Sequence, residues 1–327
     1  MTSMLNPSDS SGGAPGLELH LIRPSGPLSA KRIPEDYNGY IDGWVILLMG
    51  PTGSGKSTFI EAVVNNRHLG IAKDQLEGFT QRLTAYRVSN LMSFGRNIYL
   101  VDTPGLSDPK IPESRTIREI QQWMVKYNIR VIERLFYFDR IMDTRMSGSK
   151  TKALNIFKAI TGQDSRFRVH VITTMWDQIW TSGQEARANE RYEQLQKEHW
   201  KDFATDSRKF KLRMLAIVKF TNTQESALGI LDSCLGTSSG KFFRFEEHLS
   251  TSKIEHTTYG KILQANLFER HLALQQRLQV IQEDLNSAEA QESNELRSIL
   301  YQHRIEVERC VRVVEKELKA MGAFSKS

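Results

Sequence analysis

The sequence predicts an α/β protein: a doubly wound, mostly parallel sheet followed by a long C-terminal helical segment of coiled-coil type. Three observations carry this. Short apolar runs recur through residues 44–220, helix-length segments fall between them, and residues 261–321 contain neither Gly nor Pro while their apolar residues repeat at helical spacing. Buried parallel strands read as continuous apolar runs, and strand alternating with helix is the pattern of crossover-connected parallel sheets.

Residues 1–39 hold Pro7, Pro15, Pro24, Pro27 and Pro34 among Ser/Gly clusters without a sustained period, and are expected to be a disordered arm. Residues 40–235 form the predicted α/β domain. Its first strand is Trp44–Met49, ending in Gly50; further runs lie at Asn97–Val101, Arg134–Phe138, Val169–Thr173 and Met214–Phe220, with an alternating stretch at Arg82–Val88. Helices are expected near Ser57–Asn66, Ser114–Tyr127, Lys150–Thr161, Gln184–Phe203 and Gln224–Leu235. Residues 236–260 lack a period and read as a linker, and 322–327 as a disordered tail.

Between them, residues 261–321 carry two heptad seams. Leu274, Leu278, Ile281, Leu285 and Ala288 step by four and three, as do Leu296, Leu300, His303, Val307, Cys310 and Val314. Ala288, Glu292 and Leu296 give two consecutive fours, the kind of insertion that unwinds a supercoil. A straight helix of this length would run roughly 90 Å, so it must pair with a partner, fold back as a hairpin or lie on the globular domain. Self-association through the coiled coil, the α/β domain or both is the expectation.

Composition narrows the classes. The chain has 327 residues and 37.5 kDa, with 39% hydrophobic and 25% charged residues, values that exclude collagen, wholesale disorder and a disulfide mini-scaffold. Two cysteines, Cys234 and Cys310, are too few for a disulfide framework, which suits a reducing, cytoplasmic compartment. No run approaches the ~20 apolar residues of a membrane span, so no transmembrane segment is expected. The net charge of +6 sits in the centre: residues 40–240 hold 28 basic and 21 acidic groups, against 13 of each in 241–327. That surplus suits an anionic ligand but is too diffuse to imply nucleic acid. The eight histidines are scattered without an H-x-x-x-H pair or a Cys/His cluster, so zinc is not expected.

The strongest motif is Gly50-Pro51-Thr52-Gly53-Ser54-Gly55-Lys56-Ser57, which matches G-x-x-x-x-G-K-[ST] between an apolar strand and a helix opening at Thr58. Glycines let backbone amides turn inward around phosphate, the lysine neutralises β/γ oxygens, and the hydroxyl holds Mg²⁺. The second motif is Asp102-Thr103-Pro104-Gly105, at the end of a strand 46 residues after Lys56. Its carboxylate can hold a Mg²⁺-bound water, and the Gly105 amide can meet a γ-phosphate. Together they point to a nucleoside triphosphate switch rather than an isolated turn.

At this point the sequence resembles a P-loop GTPase of the septin-like branch, the paraseptin and immunity-associated type, and most closely fungal G-domain proteins with a P-loop like LLMGPTGSGKSTFI. The segments carrying the closer likeness are Phe138–Ser149 and Val171–Asp177, and the resemblance spans about residues 44–235. It implies GTP/GDP and Mg²⁺ as ligands. Guanine specificity in this class comes from [NT]-K-x-D, matched here by Thr174-Met175-Trp176-Asp177, in which the lysine is replaced; Thr221-Asn222-Thr223 stands where the base-contacting loop is expected. The switch threonine that joins Mg²⁺ is expected at Thr80, with Thr84 in a strand pattern. Ser57, Thr80 and Asp102 are thus the expected metal ligands, and Lys56, Thr80 and Gly105 the groups acting on the phosphate. Leu106 stands where Ras-like enzymes place a water-orienting glutamine, so hydrolysis is expected to be slow; Arg140 and Arg145, after the fourth strand, could supply a stabilising cation, although such arginines more often are solvated or pair with local acids. The alternatives are an assembly protein that binds nucleotide without useful hydrolysis, or a P-loop ATPase or kinase.

Overall fold

A computed structural model of the protein describes residues 19–71, 82–143, 147–201, 216–236, 241–247, 249 and 254–323. Seven strands form one sheet: β1 (Ile22–Arg32), β2 (Gly43–Met49), β3 (Thr84–Ser93), β4 (Arg96–Asp102), β5 (Arg134–Arg140), β6 (Val169–Thr174) and β7 (Ala216–Lys219), in the order β1-β3-β4-β2-β5-β6-β7. β1/β3 and β3/β4 are antiparallel and the other pairs parallel. The doubly wound, mostly parallel expectation is met. It is the fold of a P-loop GTPase, and a large helical region follows it.

β2 is buried along its whole length because both sheet faces are covered. Its side chains alternate: Val45, Leu47 and Met49 enter one core, while Trp44, Ile46 and Leu48 enter the other. The first core lies under α2 (Glu113–Lys126), α3 (Gly148–Thr161) and α4 (Ser182–Gln194); the second lies under α1 (Lys56–Val63) and α5 (Gln224–Cys234). Phe59 of α1 packs edge-on against Phe136, Phe138 and Phe220, which fixes the helix that follows the P-loop over β5 and β7.

The structure corrects three sequence expectations. Residues 22–32, placed in a disordered arm, form the edge strand β1. Its prolines are tolerated because an edge strand needs only half its ladder, and its register shifts between Pro24 and Ser29. Asp232 of α5 pins its start, accepting from the backbone amides of His20 (3.0 Å), Leu21 (2.6 Å) and Ile22 (2.9 Å).

The second correction concerns 236–260. The short helix α6 (Arg244–Glu247) inserts Phe243 and Phe245 into the core, and buried Glu246 takes a bidentate pair from Arg168 at 3.0 and 3.1 Å. An isolated carboxylate could not be buried there; the guanidinium and the amides of Ile132 (2.5 Å) and Phe243 (2.7 Å) satisfy it.

The third concerns how the helical segment is arranged, which is the fold-back among the arrangements its length allowed. α7 (Thr258–Leu285), α8 (Ala288–Glu292) and α9 (Asn294–Ala320) form a hairpin, and the two predicted seams close on each other: Leu274, Leu278, Ile281 and Leu285 meet Leu300 and Val307. The double step of four is the turn. Ser287 and Ser293 are N-caps whose hydroxyls accept from the amides of Ala290 and Leu296. The base of the hairpin joins the main core through Tyr259, Leu263, Leu267, Val314, Leu318 and Met321.

Candidate functional site

The site lies at the carboxyl ends of the parallel strands, where β2, β4, β5 and β6 deliver their following loops. Gly50 ends β2 with φ +144°, and a side chain there would reach the Phe138 carbonyl at 2.5 Å, so only glycine fits. The loop then turns through Pro51, Thr52, Gly53 and Ser54 to Gly55, the left-handed N-cap of α1, with Thr58 in the first turn of the helix. Lys56 Nζ folds back over the loop onto the carbonyls of Gly50 (3.2 Å) and Pro51 (3.0 Å). Burial pushes this ammonium below the ordinary lysine range, against the opposing pull of Asp102 and Asp108. Burial outweighs what the two carbonyls and the two nearby carboxylates return to this positive charge, and a polyanion would add to them.

Ser57 Oγ donates to Asp102 Oδ2 at 2.6 Å, joining the first turn of α1 to the end of β4. A hydroxyl and a carboxylate together are hard oxygen ligands suited to Mg²⁺, which needs few protein ligands when phosphates and water complete its shell. Among the described residues there is no group of three or more His, Cys, Asp or Glu able to hold a metal by themselves. Thr103 Oγ1 donates to the Leu48 carbonyl (2.8 Å), and the Leu106 amide to the Gly50 carbonyl (2.9 Å), so the D-x-x-G turn lies flat on the P-loop. Gly105 is where they touch: a methyl there would collide with Thr52, 2.5 Å from its amide nitrogen. A nucleotide with Mg²⁺ placed here would find Lys56, Ser57 and Asp102 able to neutralise charge on its phosphates.

The base end is built from two loops. Thr174 Oγ1, closing β6, donates to the Ser54 carbonyl at 3.0 Å and so ties this end to the P-loop. Met175 takes φ +64° where the motif would place lysine, and Trp176 turns inward: its Nε1 donates to Thr173 Oγ1 (3.0 Å) and Lys219 Nζ sits 4.0 Å from its ring centroid. Asp177 is exposed, on a 3₁₀ turn over Trp176–Gln178, and its Oδ2 accepts from Asn222 Nδ2 at 2.7 Å. The loops after β6 and β7 are thus brought together.

Thr80 and Arg145 lie outside the described residues; Thr84 begins β3, opposite Asp102. Arg140 leans over the P-loop, its Nη1 3.9 Å from where a Gly53 side chain would begin, with its Nε on Asp143 at 3.2 Å. A cavity of about 510 Å³ opens beside it, lined by Thr52, Leu106, Ser107, Arg140 and Lys150 among others.

Sequence reasoning missed Asp108. Buried and three residues past Gly105, it accepts from Thr52 Oγ1 (3.2 Å) and from the amides of Lys110 (2.8 Å) and Ile111 (3.2 Å). An Asp two residues before a lysine amide is a turn signal that the sequence did offer. It also missed the hairpin's reach into this loop. Arg270 of α7 donates to the carbonyls of Asp108 and Ile111 and pairs with Glu113, while Lys110 meets Glu306 at 2.8 Å and Arg118 meets Glu317 at 3.0 Å. No local pattern announces contacts that far apart in sequence.

Residues 45–176 match the family model of the 50S ribosome-binding GTPase. The small ribosomal subunit biogenesis GTPase RsgA of Clostridium botulinum (strain Eklund 17B / Type B) is 40% identical over 75 residues, 22% of this chain and 24% of that one, so the chain spans about a quarter of that relative's length. Among solved structures, the chloroplast translocon components atToc33 and psToc159, described with dimerization important for their GTPase activity, match at TM-score 0.47 and 18% identity. That match covers 63% of this chain and 87% of theirs. Toc33 from Arabidopsis thaliana in complex with GDP and Mg²⁺ matches at TM-score 0.41 and 19% identity, over 58% and 73%. No helix among the described residues is long and apolar enough to cross a membrane. The family match over residues 45–176 and the assembled P-loop and D-x-x-G strand end agree on a phosphate-binding site like that of a P-loop GTPase G domain.

Proposed function

We propose that the protein binds GTP with Mg²⁺, hydrolyses it slowly and uses the nucleotide state as a switch. The observation that carries this is the buried Lys56 ammonium folded over the P-loop beside the Ser57–Asp102 pair. In this reading Lys56 and the loop amides hold the β/γ-phosphates, Ser57, Asp102 and Thr80 serve Mg²⁺, Gly105 meets the γ-phosphate and Asp177 reads the base. Leu106, fully buried where a glutamine would orient water, supports a low intrinsic rate. Arg140 is the cation placed to stabilise negative charge at the loop crest. The finer septin-like assignment rests on Phe138–Ser149 and Val171–Asp177.

Self-association through the coiled coil has less support, since Leu274, Leu278, Ile281, Leu285, Leu300 and Val307 pack within the chain while Leu296 stays exposed. The test is threefold: the mass of any co-purifying nucleotide, titration with GTP and ATP with and without Mg²⁺, and phosphate release. Tight GTP binding with release well below one per second is the expected outcome; GTP binding with no release selects the assembly protein, and ATP preference overturns the reading.

A further inference from the structure

The end of β5 opens into a network of charged side chains, most of them buried. Lys150 Nζ, in the first turn of α3, lies between the carboxylates of Asp139 and Asp143, 2.9 Å from Asp143 Oδ2, and Arg191 of α4 brings a second buried cation to 3.9 Å from Asp139 Oδ1. Ser107 Oγ donates to the Ser149 carbonyl at 2.9 Å, which ties the start of α3 to the loop after Gly105. Buried ion pairs add little net stability, because desolvation offsets most of the attraction, so the role left for such a network is to fix orientation. Its outer end is Arg140. The Arg140 Nε donates to Asp143 Oδ2 at 3.2 Å, the same oxygen that accepts from Lys150, and the guanidinium folds back over the P-loop with Nη1 3.9 Å from where a Gly53 side chain would begin. Burial works to raise the Asp143 carboxyl, but Lys150 and Arg140 outweigh it and hold it below the ordinary carboxylate range, so it stays an anion between two cations. Arg140, Lys150 and Arg191 set three positive charges against the two carboxylates. The other four charges balance, and the surplus one is left on Arg140, whose side chain is 38% exposed and borders the cavity beside Thr52 and Leu106.

We propose that Asp143 and Lys150 are positioning residues that hold Arg140 over the P-loop of its own chain, so that its guanidinium stabilises the phosphates in cis. Lys150 fixes Asp143 from the buried side and Asp143 fixes the Arg140 Nε. The two Nη nitrogens remain to donate to phosphate oxygens, a planar fork suited to that task. An arginine that served a neighbouring chain would have to leave this carboxylate and turn away from the loop beneath it. The proposal rests on the hydrolysis reading above and goes beyond it, because it names the residues that aim the cation and the chain on which the cation acts.

The experiment measures GTP affinity, single-turnover phosphate release with Mg²⁺, and binding of GDP with aluminium fluoride, a mimic of the transferring phosphoryl group, on the full chain and its variants. Arg140→Ala should lower release on the order of 100-fold, and Asp143→Asn and Lys150→Met roughly tenfold, with GTP affinity little changed, since the interaction is made in the transition state. Guanidinium added at a non-denaturing concentration should restore release in Arg140→Ala and not in Arg140→Ala/Asp143→Asn, because Asp143 is its anchor. The rate per chain should not depend on protein concentration, and an excess of Lys56→Ala, which keeps Arg140, should not restore Arg140→Ala. Recovery in that mixture would overturn the cis assignment. Rescue by guanidinium that ignores Asp143, or wild-type release from Asp143→Asn, would overturn the positioning roles; both readouts stand even where circular dichroism shows Lys150→Met to be unfolded. In a wild type that binds GTP without releasing phosphate, weaker binding of GDP with aluminium fluoride by Arg140→Ala supports the assignment and equal binding overturns it. A wild type that does not bind GTP would overturn the hydrolysis reading as well.

Discussion

The two ends of the site are built in different ways. At the proposed phosphate end the groups are backbone turned by Gly50, a buried lysine, and a serine and aspartate hydrogen-bonded across two elements. At the base end they are side chains on two loops, one of them exposed, joined by a single Asn222–Asp177 bond. Phosphate recognition therefore follows from the strand-loop-helix geometry itself, and any sequence that makes the turn makes the cradle. Base recognition is a local arrangement that substitutions can rewrite, which is how Met175 can replace a lysine without the loop collapsing.

The sharpest way to break this contrast is at Lys56. Lys56→Ala removes a buried charge from the centre of the cradle, and a loss of about 3 kcal/mol or more, roughly 100-fold in GTP affinity, is expected, with circular dichroism and melting little changed. The fold survives because the Lys56 hydrogen bonds go to two carbonyls of its own loop, Gly50 and Pro51. Wild-type affinity in calorimetry would remove the phosphate-cradle assignment.

At the base end the effect should be a change of preference instead of a loss. Asp177→Asn replaces an acceptor by a donor, so GTP should weaken by about 2 kcal/mol while xanthosine triphosphate gains, read as a ratio of dissociation constants. An unchanged ratio would mean that Asp177 serves its 3₁₀ turn and does not face the base.

The same contrast explains what could be read from the chain alone. Gly50–Ser57 and Asp102–Gly105 were legible because their chemistry is local: the residues that make the turn are the residues proposed to touch phosphate. Asp177 was legible only through resemblance, and its partner Asn222 only as a position, because the bond between them crosses 45 residues and the strand β7. The helical hairpin shows the limit from the other side. Its heptads were visible, but a seam does not say whether its partner is another chain or the same one; Ser287 and Ser293, the caps that turn the chain, decide it. β1 was missed because a mostly exposed edge strand carries no apolar alternation.

A third prediction asks whether the hairpin supports the phosphate end or only the core. Glu317 is buried, accepts from Ser114 Oγ at 3.1 Å and pairs with Arg118 at 3.0 Å, both on α2. Glu317→Ala leaves those partners unsatisfied and should cost about 2 kcal/mol of stability. Removal of residues 261–327 should cost far more, since Leu263, Leu267, Val314 and Leu318 belong to the same core as Ile117 and Ile120 of α2, and nucleotide binding by the remainder is expected to fail with the fold. Denaturant midpoints of the point variant and the truncation check this. A truncated G domain as stable as the full chain would show the hairpin to be an appendage.

The smallest expected effect lies at β1, which touches neither end of the site and so serves as the control. Burial works to raise the Asp232 carboxyl, but hydrogen bonds from the amides of His20, Ile22 and Leu21 outweigh it and hold it below the ordinary carboxylate range. A group whose folded value is depressed contributes stability above its unfolded value, and that contribution drains away as pH falls through the folded one. Protection of β1 amides should therefore be full above about pH 4 and decline below it. Asp232→Asn keeps one acceptor oxygen for three donors, and should cost about 1 kcal/mol at neutral pH and flatten that acid-side dependence. Hydrogen exchange on residues 20–32 reads the local effect and calorimetry with GTP reads the site. Opening of β1 with both the GTP affinity and the base preference unchanged would place the edge strand outside the binding apparatus, whereas a parallel loss of GTP affinity would show that α1, packed between β1 and the P-loop, transmits strain from the sheet edge to Lys56.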